Sequence, residues 1–350
     1  MRVLLYGRHR YPARRDDGTG REPRTEPSGA PAHAMDLLAR GLAEEGHEVL
    51  YLLPRGLDEP LPDGVRRAAN PDADADVLHN LQHPDRPWVV TVQGHRPPAA
   101  YYDRIVGGAL LPLPSRDAPP PYELPANAIC VSRTLAATFG ATRYVHNGLD
   151  PADFLYSETK ADYFLFIAGM QGPSIPDIHR KKGLDVALEL CREMGFELVV
   201  AGTTREREVG ERIAAMCRGA GARYLGDVRG RRKAELITGA RAVLFPTRLH
   251  EGCPLVIIEA LLSGTPVIAS DHGACPELVT PDVGFVCGEM ASFRESIENV
   301  DRIDPRACRE KALDAFHYRR MVAGYVREYR RELERGAGDG APQPDSLHSR

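Results

Sequence analysis

RAVLFPTRLHEGCPLVIIEALLSGTPVIAS, residues 241–270, is read as strand, loop, helix, turn, strand. RAVLFPT and TPVIAS are short apolar runs bounded by turn residues, and PLVIIEALLSG between them is long enough for a helix. Continuous apolar strands that alternate with helices are buried on both faces, which means a parallel sheet covered by helices. In such a sheet ligands bind beyond the C-terminal ends of the strands. Glu251 falls just past one such end, and Glu259 lies in the helix that follows.

The same pattern runs outward in both directions. RVLLY (2–6), EVLYLL (48–53), DVLHNL (76–81), WVVTVQG (88–94) and AICVSR (128–133) are strands. GAPAHAMDLLARGLAEEG is a helix with Pro31 in its first turn, Met35, Leu38 and Leu42 on one face, and Gly46 at its stop. The polar, proline- and arginine-rich segment from residue 7 to 28 is long for a strand-to-helix connection and reads as a functional or mobile loop. The pattern restarts after VHNGLDPADF (145–154): YFLFIAG, FELVVAG and ARYLGDV are strands, and KGLDVALELCREMG, EVGERIAAMCRGAG and RRKAELITGA are helices. Two doubly wound α/β domains are therefore expected in tandem, as the length of 350 residues also suggests. REKALDAFHYRRMVAGYVREYRREL (309–333) reads as one last helix, and residues 336–350 as a disordered tail.

The totals exclude several classes. Net charge is −4, and residues 1–157 hold 17 Arg, no Lys and 20 acidic residues, so no nucleic-acid partner is expected and membrane association is not indicated. No apolar run approaches the ~18–20 residues of a membrane span. The first fifteen residues lack a signal-peptide pattern. The seven cysteines are odd in number, widely spaced and without C-x-x-C, which fits reduced thiols in a cytoplasmic protein with no metal site.

The opening stretch can do specific chemistry. Pro254 suits the first position of its helix, and the amides of Leu255 and Val256 then lack helical partners and form an anion site. Gly252 permits close approach of a ligand to the backbone. Glu259 leans back toward the same end, because helical side chains point N-terminally. A carboxylate, an anion hole and a second carboxylate suit a sugar hydroxyl, a diphosphate and a ribose diol. Two glutamates eight residues apart mean little alone; the strand, E-G-x-P and helix around them carry the reading.

HEGCPLVIIEALLSGTPVIASDHGACPELV (250–279) resembles the donor-site motif of the retaining family 4 glycosyltransferases, which have the two-domain GT-B fold. SGAPAHAMDLLARGLAEEGHEV, YVHNGLDPADF and YFLFIAG…KKGLDVALEL resemble further motifs of that family, in the right order. The resemblance implies an acceptor-side Rossmann-like domain over residues 1–155, a nucleotide-sugar donor domain over 156–308, and a C-terminal helix over 309–335 that packs back on the first domain. It implies that Glu259 binds the ribose hydroxyls, Glu251 the transferred sugar, and Lys182 the leaving diphosphate. Gly252, Cys253, Pro254 and Leu255 would face the diphosphate and sugar. Gly29 would belong to a phosphate-facing turn, Gly273 and Ala274 to a donor-side turn, and Val228, in LGDV (225–228), to the cradle of the base. The implied activity is transfer of a sugar from a nucleoside-diphosphate sugar, UDP being the most frequent nucleotide, with retention and without metal or other cofactor. The acidic first half favours a small soluble hydroxyl acceptor, a small molecule or glycan.

The sequence departs from the family at three places. Gly169-Met170 stands where Gly-Arg is usual, which leaves Arg180 or Lys181 to replace the arginine. Gln93 stands at the family histidine, with His95 two residues later, so either could take its role. Ser28 replaces the first turn glycine. DADAD (72–76) has the D-x-D spacing of metal-dependent GT-A enzymes, but it precedes a strand instead of following one. No G-x-G-x-x-G follows the first strand, against a dinucleotide oxidoreductase. A nucleotide-sugar epimerase on the same fold and a degenerate donor-binding copy without turnover remain as alternatives.

Overall fold

Six parallel strands, β1 (Arg2–Tyr6), β2 (Glu48–Leu52), β3 (Val65–Arg67), β4 (Val77–His79), β5 (Trp88–Val92) and β6 (Ala128–Cys130), form the first sheet in the order β3-β2-β1-β4-β5-β6. The second sheet repeats the plan with β7 (Phe164–Ile167), β8 (Leu198–Ala201), β9 (Arg223–Tyr224), β10 (Ala242–Phe245), β11 (Val267–Ser270) and β12 (Gly284–Cys287), ordered β9-β8-β7-β10-β11-β12, again all parallel. Both are the doubly wound order 3-2-1-4-5-6, with a topological switch point between the first and fourth strands. These features come from a computed structural model, which describes residues 1–7, 12–14, 25–27, 30–53, 60–83, 85–94, 103–106, 109–112, 123–170, 178–202, 204 and 207–338.

Alternation builds the layers. In β7, Phe164 and Phe166 enter one apolar cluster while Leu165 and Ile167 enter another on the opposite face. In β1, Leu4 and Tyr6 separate in the same way from Val3 and Leu5. This is the period-2 geometry of a strand buried on both sides. Helices α1 (Ala30–Glu44), α2 (Arg133–Thr138), α3 (Leu184–Met194), α4 (Arg207–Gly219), α5 (Gly230–Gly239), α6 (Leu255–Leu262), α7 (Cys275–Leu278) and α8 (Met290–Asn299) connect the strands. Among them Met35, Leu38 and Leu42 of α1 are all buried, as their shared face requires.

The last helix expected over 309–333 is two helices, α9 (Pro305–Ala315) and α10 (Tyr318–Gly338). α9 packs on α6 in the second domain and α10 on α1 in the first. The break is where the chain crosses. The Phe316 carbonyl accepts from the Leu149 amide and the Tyr318 amide donates to the Leu149 carbonyl, both at 2.9 Å. The interdomain segment around Leu149 thus takes hydrogen bonds that a continuous helix would have kept. Arg143 then ties α10 to the first domain through Glu328 and the buried Glu332. The run expected as one strand over 76–81 is also interrupted, because Asn80 has φ +61 and separates β4 from the short strand Leu81–Gln82.

Among the described residues no helix is long and apolar enough to cross a membrane. Residues 339–350, which hold most of the expected disordered tail, lie outside the described residues, as does most of the 7–28 loop.

Candidate active site

The loops after β7 and β10 flank the switch point of the second sheet, and each brings one charged side chain there. Lys182 comes from the loop after β7 and Glu251 from the loop after β10. Lys182 Nζ donates to Glu251 Oε1 at 2.5 Å, and each side chain is about four-fifths buried. Backbone contacts fix the two loops together. The Lys181 carbonyl accepts from the Arg248 amide at 2.8 Å, and the Arg180 carbonyl accepts from Arg248 Nη1. Gly183 makes the approach possible: at φ +85 a Cβ would sit 1.8 Å from the Pro246 carbonyl oxygen.

The segment after β11 supports Glu251 from the other side. The Ala274 amide donates to the Glu251 carbonyl at 2.9 Å. Gly273, at φ +57, lies so close to Glu251 that a Cβ would meet its backbone at 2.5 Å. Gly252 faces the first domain, where a Cβ would come 2.5 Å from the Gln93 carbonyl oxygen. Pro254 is the N-cap of α6 rather than its first helical residue, and its side chain offers no cap hydrogen bond. The leading amides of α6 therefore still open toward the loop that carries Glu251. Cys253 and Cys275 are buried, and burial pushes both thiols up to about 12, so neither supplies a thiolate nucleophile.

Glu259 sits one turn along α6. Lys233, from α5, donates to its Oε1 at 2.7 Å. Lys233 Nζ is equally near Oε2, but the approach does not make a hydrogen bond. Oε2 is thus a buried acceptor without a hydrogen-bond donor among the described residues. Lys233 pairs with both oxygens of the carboxylate, and Oε2 keeps lone pairs on which a ligand hydroxyl or a water can donate. Val228 is buried in the turn between β9 and α5, the helix that carries Lys233.

The structure separates the candidates for the missing arginine. Met170 is buried in the core, with its methyl against Gly202. Arg180 is mostly exposed and lies 3.9 Å from Asp185, the carboxylate that Arg248 holds with two hydrogen bonds. Lys181 is exposed. Among the described residues the cation that meets Glu251 is Lys182, and neither Arg180 nor Lys181 joins it there. Gln93 follows β5, and its Oε1 accepts from Asn147 Nδ2 at 3.1 Å, in the domain interface beside Gly252. Ser28, Gly29 and His95 lie outside the described residues.

Sequence reasoning missed Lys233 and gave no role to Glu277, which reaches the first domain. His79 is fully buried, with Nδ1 2.6 Å from the Tyr329 hydroxyl and Nε2 2.7 Å from Thr91 Oγ1, so it joins α10 to β5. Burial lowers its pKa to about 3. The D-x-D acids lie at the opposite end of the first sheet from the cleft, where Asp74 and Asp76 bind Arg2.

Residues 173–308 match the Glycosyl transferases group 1 family. The group 1 domain thus contains Lys182, Lys233, Glu251, Glu259 and Glu277. Over 115 residues the chain is 30% identical to the MMP alpha-(1->4)-mannosyltransferase of Mycolicibacterium hassiacum, a stretch that covers 30% of this chain and 28% of that protein. The whole fold is similar to AviGT4, a glycosyltransferase involved in avilamycin A biosynthesis, with a TM-score of 0.69, 23% identity, and 95% and 98% of the two chains covered. It is also similar to HepE of Anabaena in complex with UDP and glucose, with a TM-score of 0.61, 14% identity, and 95% and 100% covered. At these identities the likeness is one of fold, and that fold is GT-B.

Proposed function

We propose that the protein is a glycosyltransferase that moves a hexosyl unit from a nucleoside-diphosphate sugar to a hydroxyl acceptor, with retention at the anomeric carbon. The placement of Glu259 carries this reading: its carboxylate, paired with Lys233 and with acceptor capacity left on Oε2, lies on the helix whose first turn follows the Lys182–Glu251 pair. A ribose hydroxyl would donate to Oε2. Lys182 and the leading amides of α6 would take the diphosphate, and Glu251 the sugar hydroxyls.

In this reading the acceptor hydroxyl attacks from the face the diphosphate leaves. The bond from the anomeric carbon to the β-phosphate oxygen breaks, the bond to the acceptor oxygen forms, and the acceptor proton passes to the departing phosphate. Negative charge grows on that phosphate, and Lys182 with the helix amides stabilises it without a metal. A UDP-sugar is the favoured donor, supported by the bound UDP of HepE. The excess of acidic residues over arginines in residues 1–157 favours a small soluble acceptor over an anionic lipid surface. The seven free cysteines fit a reducing, cytoplasmic setting.

The test is a screen of UDP-, GDP-, ADP- and dTDP-hexoses with simple glycoside and polyol acceptors, read by nucleotide release and by NMR of the product. The reading expects acceptor-dependent release and a product with the donor's anomeric configuration. Inversion, or conversion of the donor to its epimer without acceptor, would overturn it.

A further inference from the structure

Glu277 belongs to the Pro-Glu that ends the donor motif, yet no step above uses it. Its carboxylate leaves its own domain and is saturated by the other. Oε1 accepts from the Arg133 amide at 2.9 Å and is 2.6 Å from His146 Nε2. Oε2 accepts from the Thr134 amide and the Thr134 hydroxyl, each at 2.8 Å. An ionised carboxylate has no proton to give, so His146 Nε2 is the donor. The side chain is only 6% exposed, so these bonds are shielded from water.

The contact completes a helix end. The first amides of a helix have no partner within it. In α2, Ser132 Oγ accepts from the Leu135 amide, and Glu277 accepts from the two amides before that. One domain thus caps the helix of the other. Burial disfavours the charged form of Glu277, but the bonds from His146, Thr134 and Arg133 outweigh it and hold the carboxyl at about 2.

The capping turn also connects to the site. Three residues before Glu277, Ala274 donates to the Glu251 carbonyl. The next residue, Gly252, lies against the Gln93 carbonyl, and Gln93 bonds to Asn147, the neighbour of His146. The chain of contacts from Glu277 through Ala274, Glu251, Gly252, Gln93 and Asn147 closes a ring across the cleft.

We propose that Glu277 is a positioning residue: it latches the group 1 domain onto α2 and His146 and so sets the angle at which Glu251 faces the first domain. This rests on the transfer reading above. Lys182, Lys233, Glu251 and Glu259 all belong to the group 1 domain, so nucleotide binding does not need the latch, whereas transfer to an acceptor held by the other domain does.

The experiment compares wild type with Glu277→Ala and with Glu277→Gln, which keeps the size of the side chain but turns an amide donor toward backbone donors. UDP affinity is measured by calorimetry, transfer from UDP-glucose by nucleotide release, and domain spacing by small-angle scattering without ligand. The latch predicts UDP affinity within about twofold of wild type, transfer at least tenfold slower, and a larger radius of gyration in both variants. If Glu277→Ala does not fold, Glu277→Gln carries the test. Unchanged scattering overturns the latch, and so does a loss of UDP affinity as large as the loss of rate, or an unchanged rate. If wild type neither binds UDP nor turns over, the transfer reading for UDP-glucose fails, and the scattering comparison alone decides the latch.

Discussion

Glu251→Gln should make nucleoside diphosphate bind more tightly while transfer slows. In the structure the Lys182 ammonium is already engaged by Glu251 at 2.5 Å. A β-phosphate sharing that ammonium would lie about 4–5 Å from the carboxylate, two hydrogen-bond lengths bent at the nitrogen. Two unit charges at about 4 Å repel by about 1 kcal/mol in water and about 4 kcal/mol at the effective dielectric near a protein surface. Glu251 is about one-fifth exposed, so the repulsion falls between these limits. A value of about 1–2 kcal/mol corresponds to a five- to thirtyfold gain in affinity. Glutamine keeps the shape of the side chain and an acceptor for Lys182, so the loop should stay in place. Transfer should slow because the sugar loses a charged hydrogen-bond acceptor at the reacting end. Calorimetric titration with UDP and GDP in low and high salt measures the first effect, and the gain should shrink as salt screens it. Equal or weaker binding in Glu251→Gln would show that Glu251 and the diphosphate do not share Lys182.

Lys182→Ala should lower the single-turnover rate about 10²–10³-fold, the usual cost of one preorganised contact to developing charge. Arg180→Ala should stay near wild type, since Arg180 is exposed beside Asp185; a large loss in Arg180→Ala and none in Lys182→Ala would reverse the assignment. Lys233→Met should weaken UDP binding about tenfold and leave 2′-deoxy-UDP less affected, because Glu259 loses the hydrogen-bonded partner that fixes its side chain; equal losses for both nucleotides would count against this. His79 has a folded pKa of about 3, below its unfolded value of about 6.5, so the unfolded state binds the extra proton between them. Its contribution to stability is complete above about pH 6.5 and falls by about 1.4 kcal/mol for each unit toward pH 3. Urea titrations from pH 7 to 4 should show a shallower decline for His79→Gln than for wild type, and identical slopes would refute the assignment.

Of the candidate site, the elements that lie close together in sequence were legible there. From Glu251 to Glu259 one loop and one helix fix both carboxylates, and helical periodicity places Glu259 with no tertiary information. The two doubly wound domains in tandem followed from short apolar runs alternating with amphipathic helices, while the order of strands within each sheet did not. What could not be read depends on distant pairings. Lys233 meets Glu259 across two separate helices, and nothing in the local pattern of α5 distinguishes it from a solvated lysine. Glu277 meets residues 131–144 positions earlier. The break at Phe316–His317 is invisible to periodicity, because the apolar spacing continues through it; it arises from hydrogen bonds to Leu149. Asn80 splits an apolar run by a positive φ that its neighbours do not encode.

The central claim is that a nucleoside diphosphate binds with its ribose on Glu259. Calorimetric titration of wild type and Glu259→Ala with UDP, GDP, ADP and dTDP tests it directly. The account predicts that at least one of these binds wild type, and that its affinity falls at least tenfold in Glu259→Ala while the folded state persists, because the buried Oε2 is the acceptor the ribose needs. If none binds, or if the bound nucleotide keeps its affinity in Glu259→Ala, the account is contradicted.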